Sequence, residues 1–280
     1  MKITCENERG EQLTLGWFAP LWIRSITGLG ASYAISTSKN NGQDGEHYTG
    51  AVAEKRNIVI VLDVRKSDYV TQRNLLYNFF QPRSQGTLFY EENSIARKIK
   101  YYVESIEPSG DGILKNITLS LICPDPKWYD IHDNLVQLAI WQGNIRFPLR
   151  LRDPFAVTKK VNTLIGNVRN DSAVTMGLAV RFTATGTVVN PSLYDVNRHE
   201  LMKINTTMHA GDKITITTGT GNKRVILISG GITTNINNLM AYPPKWLQAY
   251  HGDNLFRYDA DSGIDSLSVS ILTTQAYWGT

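Results

Sequence analysis

The sequence predicts a mainly β protein: an N-terminal β-sandwich-like domain carrying one helix, followed by a C-terminal β-sandwich. Three observations carry the prediction. Apolar residues alternate with polar ones through most of the chain, the period of half-buried strands. Helical spacing of three and four appears over one stretch only. Finally, 280 residues exceed what a single hydrophobic core usually fills, so two domains are expected, at 1–135 and 161–280, with a connection over 136–160.

In chain order, the polar, glycine-bearing stretch from Ser36 to Gly50 reads as a long mobile loop or an extended hairpin tip. Asn57 to Val64 is a near-continuous run of β-branched and apolar residues, expected of a strand buried on both faces. The one helix follows. Ser67 or Asp68 can cap its first free N–H groups, Arg73, Leu76, Tyr77 and Phe80 recur at helical spacing, and Pro82 stops it. Its apolar stripe is expected to cover the sheet face that carries Ile58, Ile60 and Leu62. Ile99 to Ile106 and Ile117 to Cys123 then flank Pro108-Ser109-Gly110-Asp111-Gly112, whose φ-permissive residues mark a hairpin turn. The first domain closes at Cys123-Pro124-Asp125-Pro126-Lys127-Trp128-Tyr129, where two prolines deny the sheet its N–H donors.

The second half holds short strand candidates separated by Gly, Asp and Asn turns: Gly177 to Thr183, Glu200 to Asn205, Lys213 to Thr217, Lys223 to Ile228, Trp246 to His251 and Ser266 to Leu272. Alternation is clearest where Leu267, Val269 and Ile271 face a core and Ser266, Ser268 and Ser270 face water.

Composition narrows function. Charged residues are 19% of the chain with both signs interspersed, and a net charge of +4 is spread without a basic run, so a nucleic-acid role has little support. The start Met1-Lys2-Ile3-Thr4-Cys5-Glu6 lacks an apolar signal region, and no apolar stretch approaches bilayer length, so synthesis in a cytoplasm is expected. Cys5 and Cys123 lack CxxC spacing and histidine companions, and are read as free, buried thiols.

Tests for chemistry point away from an enzyme. His47, His132, His199, His209 and His251 are dispersed rather than spaced as metal ligands or a catalytic base. Glu91 and Glu92, as neighbours on a strand, would point to opposite faces and not converge on one bond as acid and base, so the pair reads as a solvated turn. Gly219-Thr220-Gly221-Asn222-Lys223 lacks the phosphate-loop spacing and reads as a hairpin turn. No cofactor or metal is expected. Trp246, Tyr250, Phe256, Tyr258, Tyr277 and Trp278 crowd the end of the second sandwich. Packing is the favoured account, but Trp246, Tyr250 and Tyr258 are candidates for a sugar-binding face, which makes a carbohydrate-binding adhesion module the alternative function.

One order of pieces is familiar. A strand, a helix, a hairpin and then Cys123, Asp125, Pro126 and Tyr129 resemble the signature that closes the first domain of the siphophage distal tail protein (Dit) family. Arg146-Phe147-Pro148-Leu149 with Pro154-Phe155 resembles that family's FPL…PF segment, lengthened here by Arg152-Asp153. Asn167 to Asp171, Asn190-Pro191, Ala210 to Ile216, Lys223-Arg224-Val225 and His251-Gly252-Asp253-Asn254 continue the match, with Ser229-Gly230-Gly231 where an Asn-Gly is usual. The resemblance implies a first domain that forms a homo-oligomeric ring, typically of six copies, around the tail channel, and a galectin-like (jelly-roll) second domain that projects outward. It implies a structural hub in the virion, at the distal end of the tail, linking the tail tube protein to the tail-tip or tail-associated lysin protein. In some members the outer domain carries receptor-binding proteins or contacts host glycans. For the ring or partner interface, the polar stretch in the first domain supplies the candidates Lys39, Asn40, Asn41 and Asp44.

Overall fold

The computed structural model describes residues 1–17, 20–42, 44–110, 114–143, 158–162 and 165–280. The chain is mainly β and divides into two compact units, Met1–Ile131 with Ala276–Thr280, and His132–Gln275.

The first unit contains β1 (Lys2–Asn7), β2 (Gln12–Leu15), β3 (Trp22–Thr27), β4 (Tyr33–Ser38), β5 (His47–Ala53), β6 (Arg56–Arg65), α1 (Tyr69–Phe79), β7 (Gln85–Glu92), β8 (Ile95–Ser109), β9 (Leu114–Cys123) and β10 (Trp128–Asp130). Its main sheet runs β2-β1-β7-β8-β9-β6-β3, with β10 pairing both β8 and the last strand of the chain, Ala276–Tyr277. The sequence leaves open which domain holds the last strand, ending at Trp278: Leu267–Thr273 stays in the second unit, whereas Tyr277 and Trp278 belong to the first.

Ile58, Ile60, Leu62 and Val64 of β6 are buried, but the residues between them are only partly covered. The β-branched run is therefore an alternating strand with one core face, not one buried on both. The reason lies in the layers: α1 lies against β6, and Leu76, Phe79 and Phe80 join the core with Ile58, Ile60 and Leu62, while among the described residues no second helix covers the opposite face. Of the predicted stripe, Leu76 and Phe80 are buried and Arg73 is half-buried, whereas Tyr77 faces outward; Tyr69 and Phe79 complete the buried side. Asp68 occupies the N-cap but makes no side-chain cap bond, and Gln72 N–H donates instead to the Asp68 carbonyl. The β8–β9 hairpin forms as expected, with a bulge between Val103 and Ser105, while Asp111 and Gly112 of its turn lie outside the described residues. Glu91 and Glu92 end a paired strand rather than forming a turn, which falls at Asn93-Ser94, both with positive φ.

The second unit packs a six-stranded sheet against a four-stranded one. The first runs Asn134–Gln137, Leu267–Thr273, Ala179–Ala184, Lys213–Thr217, Arg224–Ser229, Ile232–Asn235; the second runs Ile165–Asn170, Gly252–Asp259, Ser192–Asp195, Glu200–Lys203. Val180, Phe182, Ile214, Ile216, Leu267, Val269 and Ile271 from one face meet Val168, Leu193, Met202, Phe256 and Tyr258 in one core. Gly219 to Lys223 is the turn between two antiparallel strands, closed by Asn222 N–H donating to the Gly219 carbonyl. Of Trp246 to His251 only Gln248–Ala249 is strand.

Candidate assembly interface

Two features of the first unit stand out: a buried clasp that fixes its shape, and an uncovered hairpin that leaves it.

The clasp is organised by Arg56, the first residue of β6, 4% exposed and paired in register with Cys123. Its guanidinium has no carboxylate partner in the described structure. It donates instead to four main-chain carbonyls: Gly28 at 2.8 Å, Gly30, Pro126 at 2.7 and 2.9 Å, and Trp278 at 2.7 Å. The planar fork of arginine suits such divergent acceptors, and charge-assisted bonds to carbonyls offset part of the desolvation. Burial lowers the Arg56 pKa, yet a guanidinium titrates too high to lose its proton. Around it lie the residues of the closing signature. Asp125 accepts from Lys127 N–H and, at 2.6 Å, from the Tyr129 hydroxyl, which burial and this carboxylate hold in its protonated form. Trp128 is fully buried, donates Nε1–H to the Leu29 carbonyl and lies under Arg56. Burial pushes the Cys123 thiol up to about 12. The signature is thus a structural clasp, with no exposed nucleophile among these residues. The chain's end joins it: Arg97 stacks 3.8 Å from the Tyr277 ring and donates to the Gly279 carbonyl.

The hairpin is β4 paired with β5, a two-stranded sheet of its own. The polar stretch from Ser36 to Gly50 is its distal half. Lys39, Asn40, Asn41 and Asp44 sit exposed at its tip. Register places Tyr33, Ile35, Tyr48, Ala51 and Ala53 on one face, with Val52 on the other. Ile35, Tyr48 and Val52 are 66%, 67% and 71% exposed, and neither strand carries an acidic, lysine or arginine side chain. Tyr33, at the base, packs edge-on against Trp278. The apolar strands, and Arg56, are what the sequence reading missed. Loop-like polarity from Ser36 to Gly50 masked the flanking Tyr33, Ile35 and Val52, and no side-chain pattern advertises an arginine whose acceptors are main-chain carbonyls.

The candidate sugar-face aromatics do not converge. Tyr258 is fully buried in the second unit's core, on the same strand face as Phe256, and so cannot serve as a platform. Trp246 packs against that core, and Tyr250 is covered by the Arg198 guanidinium at 3.7 Å. Asn254, within the predicted His251 to Asn254 match, is wholly buried and donates to the carbonyls of Val168, Tyr250 and Gly252. Among the described residues no group of three His, Cys, Asp or Glu is placed to hold a metal. Arg146-Phe147-Pro148-Leu149 and Pro154-Phe155 lie outside the described residues.

Residues 8–123 match the family described as the phage tail protein RIFT-related domain. Comparison with curated proteins gives no match. Among solved structures, the whole chain resembles the Dit protein of phage SPP1, described as a paradigm of the hub adsorption apparatus in phages that infect Gram-positive bacteria: TM-score 0.71, 13% identity, 98% of both chains covered. It also resembles a chain of the phage P2 baseplate in its activated conformation with calcium, at TM-score 0.54 and 8% identity over 98% of both chains, and one from the strontium form, at 0.50 and 10% over 97% of both. At these identities the likeness is one of fold.

Proposed function

A phage tail protein RIFT-related domain at residues 8–123 and a distal-tail-protein fold over the whole chain together support a siphophage distal tail protein, and we propose that this chain is the hub of a phage adsorption apparatus. In this reading it is a non-enzymatic virion component. Its first unit assembles into a closed ring, of six copies as the resemblance implies, that joins the tail tube to the tail-tip protein. The second unit serves the adhesion side.

The observation that carries the reading is the β4–β5 hairpin. A two-stranded hairpin is marginal by itself in water, and this one exposes Ile35, Tyr48 and Val52 with no charged side chain in either strand. Charge depletion with exposed aromatic and branched side chains is the composition of an interface core, not of a solvated arm. Burying each such side chain stabilises by about 1.5–3 kcal/mol, so assembly supplies what the isolated unit lacks.

Light scattering over a wide concentration range, with negative-stain imaging of the same sample, tests this. Rings with a central hole are expected. A strict monomer at every concentration argues against the hub.

A further inference from the structure

We infer that Asn41-Gly42, at the tip of the β4–β5 hairpin, is a site of spontaneous covalent modification, where the asparagine converts to isoaspartate and aspartate through a succinimide. The reaction needs water alone and does not depend on the ring.

The turn itself creates the reactive pair. Gly42 has φ +81°, a left-handed conformation in which a side chain is strained, so the tip requires glycine there. The missing Cβ also leaves the Gly42 main-chain nitrogen unshielded, and a Cβ built on Gly42 would meet nothing within 4 Å. Asn41 is exposed. Its side-chain carbonyl carbon and the nitrogen of the next residue are the atoms that close a five-membered ring, and asparagine is one of the thermolabile side chains. No other asparagine in the chain precedes a glycine. Asn170 and Asn254 are wholly buried, and Asn254 is held by the carbonyls of Val168, Tyr250 and Gly252. At the turn between β7 and β8, Asn93 is also exposed, but it precedes Ser94, whose Cβ crowds the attacking nitrogen.

The bonds balance without an oxidant or a cofactor. The Gly42 nitrogen gives up its proton and attacks Cγ of Asn41; the new C–N bond forms as the Cγ–Nδ2 bond breaks, and Nδ2 leaves with that proton as ammonia. Water then opens the ring. Attack at Cγ restores the ordinary main chain with aspartate, and attack at the main-chain carbonyl leaves isoaspartate, with the chain rerouted through Cγ. Either product adds a carboxylate to a tip that already carries Asp44 and Glu46 beside Lys39.

Warming the full chain at pH 8, followed by tryptic digestion and mass spectrometry, tests this. The peptide bearing Asn41 is expected to gain about one dalton before any other asparagine peptide does, and to resolve into two products, of which only the aspartate form is cut at position 41 by a protease that cleaves before aspartate. Asn41→Gln should remove the signal with unchanged melting, and Gly42→Ala should slow it about tenfold. If Asn41 stays intact in the native chain, whether or not it converts in urea, the folded tip withholds the nitrogen from Cγ and the site is wrong. If Asn93 converts first, or the product contains no isoaspartate, the succinimide account fails. None of these outcomes bears on whether rings form.

Discussion

The guanidinium of Arg56 donates to the main-chain carbonyl of Trp278, 222 positions further along the chain, at 2.7 Å. The same group holds Gly28, Gly30 and Pro126, so one cation ties together a loop, the exit of β9 and the end of the polypeptide. Replacing it by methionine removes the donor that these four carbonyls share and should lower the first unit's stability by about 3 kcal/mol. Arg56→Lys should recover only a minor part, because an ammonium cannot fork to divergent acceptors. Urea unfolding followed by tryptophan fluorescence measures both; a lysine variant as stable as the parent would refute the forked-donor account.

Gly28 adopts φ +83°, and a Cβ there would lie 1.8 Å from the Asn57 carbonyl oxygen. Main chain cannot move away cheaply, since Gly28 also supplies an acceptor to Arg56. Gly28→Ala is therefore expected to cost about 3 kcal/mol or to abolish soluble expression, whereas Gly10→Ala, with a similar φ but open space, should cost about 1. Comparing the two melting temperatures separates steric overlap from backbone preference.

In the second unit Asp212 accepts from His209 N–H at 2.8 Å, and side-chain bonding to Ser229, the larger cause, together with this backbone bond holds its carboxyl below the usual range. A depressed folded value means the stabilisation is fully present above the unfolded value of about 3.9 and is lost as pH falls through the folded one. Asp212→Asn should cost about 1 kcal/mol at pH 7 and progressively less as the pH falls below 4. Thermal melts from pH 2 to 7 would show parallel curves if the carboxylate were unimportant.

Cys123, with its thiol raised to about 12 by burial, should resist a thiol reagent at pH 8 in the folded protein, as should the wholly buried Cys5. Both should react on unfolding, so labelling rates report global opening. Fast modification of either under native conditions would contradict the packing described.

Much of this fold was legible because period-2 alternation is a physical consequence of one buried face. Leu267, Val269 and Ile271 all lie in the core with water-side serines between them. The same rule read further places Phe256 and Tyr258 on one buried face; aromatic crowding drew attention to a platform instead. The β6 run was over-read because β-branched residues suit a half-covered sheet face as well as a fully buried one, and sequence does not say which elements cover the second face. Arg56 was illegible for another reason. Its partners are carbonyls, which every residue possesses, so no side chain in the sequence marks the pairing.

The antiparallel pair Trp128↔Tyr277 and Tyr129↔Ala276 means that the polypeptide leaves the first unit from one strand and re-enters it on the adjacent one. Residues 132–275 are therefore a cassette spliced between neighbouring rungs of a ladder, and the rungs keep their register whatever is spliced there. A lineage could exchange, enlarge or delete the second unit without re-solving the folding problem of the first, and a laboratory graft of a foreign sandwich at the same two junctions would inherit the same freedom.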